Sequence, residues 1–376
     1  MTIYLDHNAT TPILPPVVDG MLPFLREHFG NPSSRHEYGR RAHQAVEQAR
    51  GQVAELLGCA PEEVFFTSGG TEANNLAIRG VAEASERRHL ITSSIEHPAT
   101  AAPCRYLSER GWRVDLLAVD RAGQVDAADL RRQIGDDTGL VTVMHANNET
   151  GALQPIAALA EGAHERGALI HTDAAQSVGK VPVRIAALGV DLLTVAGHKL
   201  HAPKGVGALY VRRGIRLRPF VLGAGHERGL RPGTENVASI VGLGIACELA
   251  GKRLASGTDS VRTARDRLWN RLREAVPGLV IHGHETERLP NTLNLRFPRV
   301  AGSAVLAATP EVAASTGSAC HDGGEAASSV LLAMGIDPVE ALGAVRLSVG
   351  VTTTPKDVDA AADALARGWR RACEGR

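Results

Sequence analysis

The sequence predicts an α/β fold, with a large, mainly parallel seven-stranded sheet domain flanked by helices and a smaller α+β domain. Short apolar or β-branched runs at 64–67, 89–93, 113–117, 140–145, 168–172, 191–195 and 207–211 alternate with amphipathic stretches. Buried strands separated by helices need crossovers, and crossovers make a sheet mostly parallel. A long apolar stretch at helical spacing over 240–254 closes this region. Beyond it the patterning weakens, with strand candidates at 280–282, 292–296 and 345–349 and a closing helix over 358–372. The expected division is 18–250 for the large domain and 1–17 with 251–376 for the small one, and 376 residues suffice for both cores.

The first forty residues hold Thr10-Thr11-Pro12, Pro15-Pro16 and Gly30-Asn31-Pro32-Ser33-Ser34, turn formers that favour extended and looping backbone, so an arm or lid is expected. From Gly39, the residues Ala42, Val46, Ala49, Val53, Leu56 and Leu57 recur at helical spacing, and Gly58 suits a terminator. Lys+Arg and Asp+Glu are each 41, so no net field draws the chain to nucleic acid or an anionic membrane, and no direct nucleic-acid binding is expected. No apolar run reaches membrane-spanning length, and the start lacks a basic head and apolar core, which points to the cytoplasm. Cys59, Cys104, Cys247, Cys320 and Cys373 form no Cys-x-x-Cys pair and read as free thiols. The basic run at 212–218 reads as a solvated loop.

In such a sheet, ligands bind beyond the carboxyl ends of the strands. The run 191–195 leads into Gly197-His198-Lys199, where a lysine amine could condense with an aldehyde cofactor such as pyridoxal 5′-phosphate (PLP). The first leads into Ser68-Gly69-Gly70-Thr71-Glu72, whose free N–H groups and Thr71 hydroxyl suit a phosphate, although Thr-Glu is equally an ordinary helix start. Glu96-His97 puts an imidazole at the same edge, and Asn147-Asn148-Glu149 a set of hydrogen-bonding side chains that would also suit a turn. Asp173 could keep a pyridine nitrogen protonated or cap a helix, and Gln176 could reach a ring substituent.

Together with Tyr4-Leu5-Asp6-His7-Asn8-Ala9-Thr10-Thr11-Pro12, Arg231-Pro232-Gly233-Thr234 and Ser315-Thr316-Gly317-Ser318-Ala319-Cys320, these stretches resemble the NifS/IscS-type cysteine desulfurases, fold-type I PLP enzymes of the class V aminotransferase group. The resemblance covers essentially the whole chain. It implies that Lys199 bonds PLP as a Schiff base, Asp173 pairs with the pyridine nitrogen, Gln176 with the ring oxygen, and His97 stacks on the ring and carries protons. It assigns Gly70, Thr71 and His198 to the phosphate, Thr234 to the phosphate of a neighbouring subunit in a homodimer, and Asn148 and Arg346 to the substrate carboxylate. Asn148 is also expected beside the cofactor. Ala196 departs from the family, in which a serine often stands there, so a phosphate contact is expected to be missing.

The implied reaction takes L-cysteine to L-alanine and leaves the sulfur as a persulfide on Cys320, for a sulfur-acceptor protein such as an iron–sulfur scaffold or a carrier for tRNA, thiocofactor, DNA or specialised-metabolite thiolation. Cys320 lies in a small-residue loop with little to pack, read as mobile, and its thiol must lose a proton to attack, to substrate, His97 or His321. The rivals are a selenocysteine lyase or cysteine-sulfinate desulfinase on the same fold, and a non-catalytic sulfur-pathway scaffold. His198 and His201 without cysteine or acidic companions make a poor zinc site, and no metal is assigned.

Overall fold

The computed structural model describes residues 2–257, 259–316 and 326–374, so Cys320 and its neighbours lie outside the described residues. Twelve strands form three sheets among those residues. They are β1 (Ile3–Tyr4), β2 (Val64–Thr67), β3 (His89–Ser93), β4 (Arg113–Leu117), β5 (Thr138–Thr142), β6 (Leu169–Asp173), β7 (Leu192–Ala196), β8 (Gly207–Val211), β9 (Val280–His282), β10 (Thr292–Arg296), β11 (Val312–Ala313) and β12 (Ala344–Ser348). The large sheet has the order β2-β8-β7-β6-β5-β3-β4, and only β8 runs antiparallel to its neighbours. The other six therefore end at one edge.

Buried strands show the two-residue period directly. Leu90, Leu140, Leu192 and Leu209 face one core, while Ile91, Val141, Leu193 and Ala208 face another. Helix α1 (Pro15–Arg26) contributes Val17 to the second of these, and helix α2 (Glu37–Leu57) contributes Val46 and Val53. Helix α3 (Gly70–Ala84) and helix α4 (Pro98–Ser108) cover the first, through Leu76, Val81 and Leu107. The helix Val237–Ser256, apolar over much of its surface, packs with α2 through Ile240 and Leu243. A third core joins Leu5 to the antiparallel sheet β12-β10-β9 and to the helices Asp259–Ala275 and Pro355–Glu374.

One expectation fails in the first forty residues. They hold a twelve-residue helix, α1, because Pro15 and Pro16 occupy its first turn, where a missing N–H costs nothing and a fixed φ helps. Pro23 lies inside it as well, near the end. The arm before α1 is tied down by β1, which pairs in parallel with β11. Strand candidates at 140–145, 168–172, 191–195 and 345–349 are offset by one to three residues from β5, β6, β7 and β12.

Candidate active site

A cleft at the carboxyl edge of the large sheet is lined by residues from five strand ends, including Gly70, Thr71, His97, Asn148, Asp173, Gln176, Ala196, His198 and Lys199. The fold brings them together from positions more than a hundred residues apart. Thr234 is exposed on the loop before the helix Val237–Ser256 and does not line this cleft.

Helix α3 starts without a side-chain cap, so its first-turn N–H groups stay free for an anion, with the Thr71 hydroxyl beside them. Gly69 takes φ +146, a conformation closed to most side chains, to make the turn. A Cβ on Gly70 would come 3.2 Å from Ala196 Cβ, which puts residue 196 next to that turn. His198 donates or accepts at Nδ1 with Thr10 Oγ1 (3.2 Å), and burial, followed by the Lys199 charge, lowers its pKa to about 4. Its imidazole is neutral there.

Asp173 is buried, and its carboxylate is fixed by two donors, Ala175 N on Oδ1 (2.9 Å) and Asn74 Nδ2 on Oδ2 (2.7 Å). His97 caps α4 by accepting the Ala99 N–H at Nδ1 (3.1 Å), which leaves the proton of the neutral ring on Nε2. Burial lowers its pKa against the opposing Asp173 carboxylate, with the Lys199 charge adding to the fall, so it is neutral and carries one transferable proton. The neighbouring Glu96 is pushed up to about 8 by burial.

Lys199 Nζ donates to the backbone carbonyls of Asn8 and, at 2.9 Å, Ala9. Burial first, then the Arg346 guanidinium, brings its pKa down from 10.5 to about 8. Gln176 donates Nε2 to the Asn8 carbonyl (2.9 Å) and accepts at Oε1 from Lys180 Nζ (2.8 Å). Because an ammonium has no acceptor, this contact decides which way the amide faces. Arg346, on β12, donates to the Asn148 carbonyl (3.1 Å) and pairs with Asp6 (2.8 Å), while its Nε has no partner among the described residues.

Neither the strand-end pattern nor the resemblance assigns a role to Asp6, Asn8, Asn74 or Lys180. Asn8 is the junction of this set: its side chain meets Lys180 (3.1 Å), Asn291 (3.0 Å), Thr292 (2.9 Å) and the Asn148 carbonyl (3.2 Å). The one available signal was position, since Lys180 follows Gln176 by four residues in a turn and Asn8 lies in the quoted Tyr4–Pro12 motif.

The donor set suits PLP: free N–H groups for a phosphate, a fixed carboxylate for a pyridine nitrogen, an amide donor and a lysine amine of lowered pKa. The chain belongs to the family described as Aminotransferase class-V, whose profile matches residues 3–361, a family that depends on PLP in general. It is 46% identical over 360 residues to "Cysteine desulfurase 2" of Trichormus variabilis, covering 95% of this chain and 90% of that one. Among solved structures, a "NIFS-LIKE PROTEIN" superposes with TM-score 0.91 at 37% identity, covering 97% and 98% of the two chains. One described as "SspA in complex with cysteine" does so with TM-score 0.83 at 35% identity, covering 93% and 99%.

Proposed function

We propose that this protein is a PLP-dependent cysteine desulfurase that converts L-cysteine to L-alanine and passes the sulfur, held as a persulfide on Cys320, to an acceptor protein. The observation that carries the reading is the convergence of Lys199, Asp173, Gln176, His97 and the uncapped start of α3 on one cleft. Gly70, Thr71 and His198 would hold the PLP phosphate, Asp173 the pyridine nitrogen and Gln176 the ring oxygen. When bound, PLP supplies an electron sink for negative charge on the α-carbon of an amino acid.

The chain's own residues do the rest. Lys199, with its amine neutral more often than an ordinary lysine's, both attaches the cofactor and serves as the base for the substrate's α-proton. His97 moves a proton through Nε2, since Nδ1 is occupied by the Ala99 N–H. Arg346 and Asn148 hold the substrate carboxylate, the free Arg346 Nε supporting that role. Cys320, as thiolate, takes the substrate sulfur: the S–S bond forms, the C–S bond breaks, and the carbon is protonated, so cysteine plus thiol gives alanine plus persulfide.

The same reading makes the protein a cytoplasmic homodimer in which Thr234 serves the neighbouring phosphate, its exposure in one chain supporting that role. It also divides the chain at 18–250 against 1–17 with 251–376, which Leu5 supports by packing in the small-domain core, while Val17 packs with the large sheet and argues for a boundary ahead of α1. Among the described residues no helix is long and apolar enough to cross a membrane. The test is incubation of the PLP-loaded protein with L-cysteine, with alanine, sulfide and a one-sulfur mass gain on Cys320 quantified. Alanine without that mass gain, or sulfide release at full rate by Cys320→Ala, would favour a lyase instead.

A further inference from the structure

We propose that a second cavity, which shares Lys199 with the cofactor cleft, binds a small oxyanion, inorganic or the carboxylate of an amino acid. Its volume is ≈ 220 Å³, and His7, Lys180, Lys199, His201, Arg253 and Asn291 contribute to its wall. Lys199 lines both spaces.

Three cationic side chains and two imidazoles meet in this wall, and no carboxylate among the described residues lines it. Asp259 comes only to the rim, beside Gly257. Lys180 Nζ donates to neutral oxygens alone, Asn8 Oδ1 and Gln176 Oε1, and burial together with the Lys199 and Arg346 charges holds its pKa well below the ordinary value. The Arg253 guanidinium is half-buried and has no hydrogen-bond or ion-pair partner among the described residues. Buried cations are normally balanced by acids, and among the described residues no carboxylate in this wall supplies that charge, Asp173 and Asp6, which act on Lys199, lying outside it.

The wall is also built rather than incidental. His201 is held at φ +73, strained for a residue with a side chain, by its N–H to Thr11 Oγ1 (2.9 Å) and its Nδ1–H to the Pro12 carbonyl (2.9 Å). His7 is 3% exposed, with Nδ1 unpartnered among the described residues. Its ring fills the space in which a Cβ on Gly350 would stand, at 2.2 Å. An anion between Lys180 and Arg253, beside Lys199 whenever substrate has freed its amine from the cofactor, would hold that amine as an ammonium and withdraw it as a base. That consequence rests on the role given to Lys199 above; the binding itself does not.

The test is calorimetric titration of PLP-loaded wild type, Arg253→Gln and Arg253→Lys with sodium sulfate, acetate and chloride at constant ionic strength. A saturable one-to-one heat is expected with sulfate or acetate but not chloride, weakened tenfold or more in Arg253→Gln, retained in Arg253→Lys, and with the PLP absorbance unchanged. Response to sulfate alone assigns an inorganic oxyanion, and response to acetate alone a carboxylate. Absence of saturable heat, equal affinity in wild type and Arg253→Gln, or release of PLP by sulfate overturns the site. Binding that leaves the rate of alanine formation untouched overturns the link to Lys199, whereas a protein inactive on cysteine leaves the calorimetry to decide the site by itself.

Discussion

Attachment of PLP to the apoprotein should follow the pH dependence of the Lys199 amine rather than that of an ordinary lysine. Burial first and the Arg346 guanidinium second bring this group from 10.5 to about 8. At pH 7 about one Lys199 in ten is then neutral, against about one in 3,000 for an unshifted lysine, on the order of a 300-fold gain in nucleophile. Stopped-flow absorbance on apoprotein mixed with PLP should show a rate that climbs about tenfold per pH unit up to about pH 8 and then levels. A rate still climbing tenfold per unit between about pH 9 and pH 10 would refute burial as the cause. Arg346→Met removes only the secondary cause, so its plateau should start later but still below that of a free lysine. The linked stability has a definite sign: the folded pKa lies below the unfolded one, so the ammonium costs the folded state stability below pH 8, and that cost fades between pH 8 and 10.5. The difference between wild type and Lys199→Met isolates it from the buried thiols, which act in the opposite sense at higher pH.

Glu227 and Arg50, with side chains 2% and 5% exposed, form a two-pronged ion pair (2.8 and 2.9 Å) that also accepts the Phe66 N–H. Glu227→Ala should cost about 3–5 kcal/mol in chemical denaturation by stranding the arginine, whereas Glu47→Ala, on the half-exposed partner of the same arginine, should cost under about 1 kcal/mol. Cys59, Cys104 and Cys247, each pushed up to about 12 by burial, should be alkylated about a thousandfold more slowly than an ordinary thiol near neutral pH, as read by peptide mass spectrometry. Ala196→Ser sets a hydroxyl beside the start of α3 and should tighten PLP by about 1.5–3 kcal/mol, and an unchanged dissociation constant would count against a missing phosphate contact.

Much of the large sheet was legible because its strands are buried on both faces, so every residue of runs such as His89–Ser93 and Gly207–Val211 is constrained and the run has sharp ends. The cleft was legible for the same reason, since Gly70, His97, Asp173 and Lys199 each follow such an end. What stayed hidden depends on contacts between distant segments. Helix α1 is announced only by two prolines that elsewhere mark a turn, and β1 is too short to have a period. Asn8 and Lys180 carry no periodic pattern, only their positions: an asparagine in a Thr/Pro-rich arm and a lysine after a glycine read as surface until the fold packs them against Asn291, Gln176 and Lys199.

The junction at Asn8 also fixes when the protein can be finished during synthesis. Its contacts with Gln176, Lys180 and Asn148 can form once the large sheet exists, but its backbone N–H is taken by Ser348, its side chain also by Asn291 and Thr292, and β1 needs β11, so the amino-terminal arm gains its last anchors only late in synthesis. The large sheet, with Lys199 in place, is complete long before. A nascent chain stalled before residue 290 therefore holds the segment whose Asn8 and Ala9 carbonyls accept from the Lys199 amine by its large-domain contacts alone, without Asn291, Thr292, Ser348 and β11, and premature termination in the last third leaves the arm half anchored.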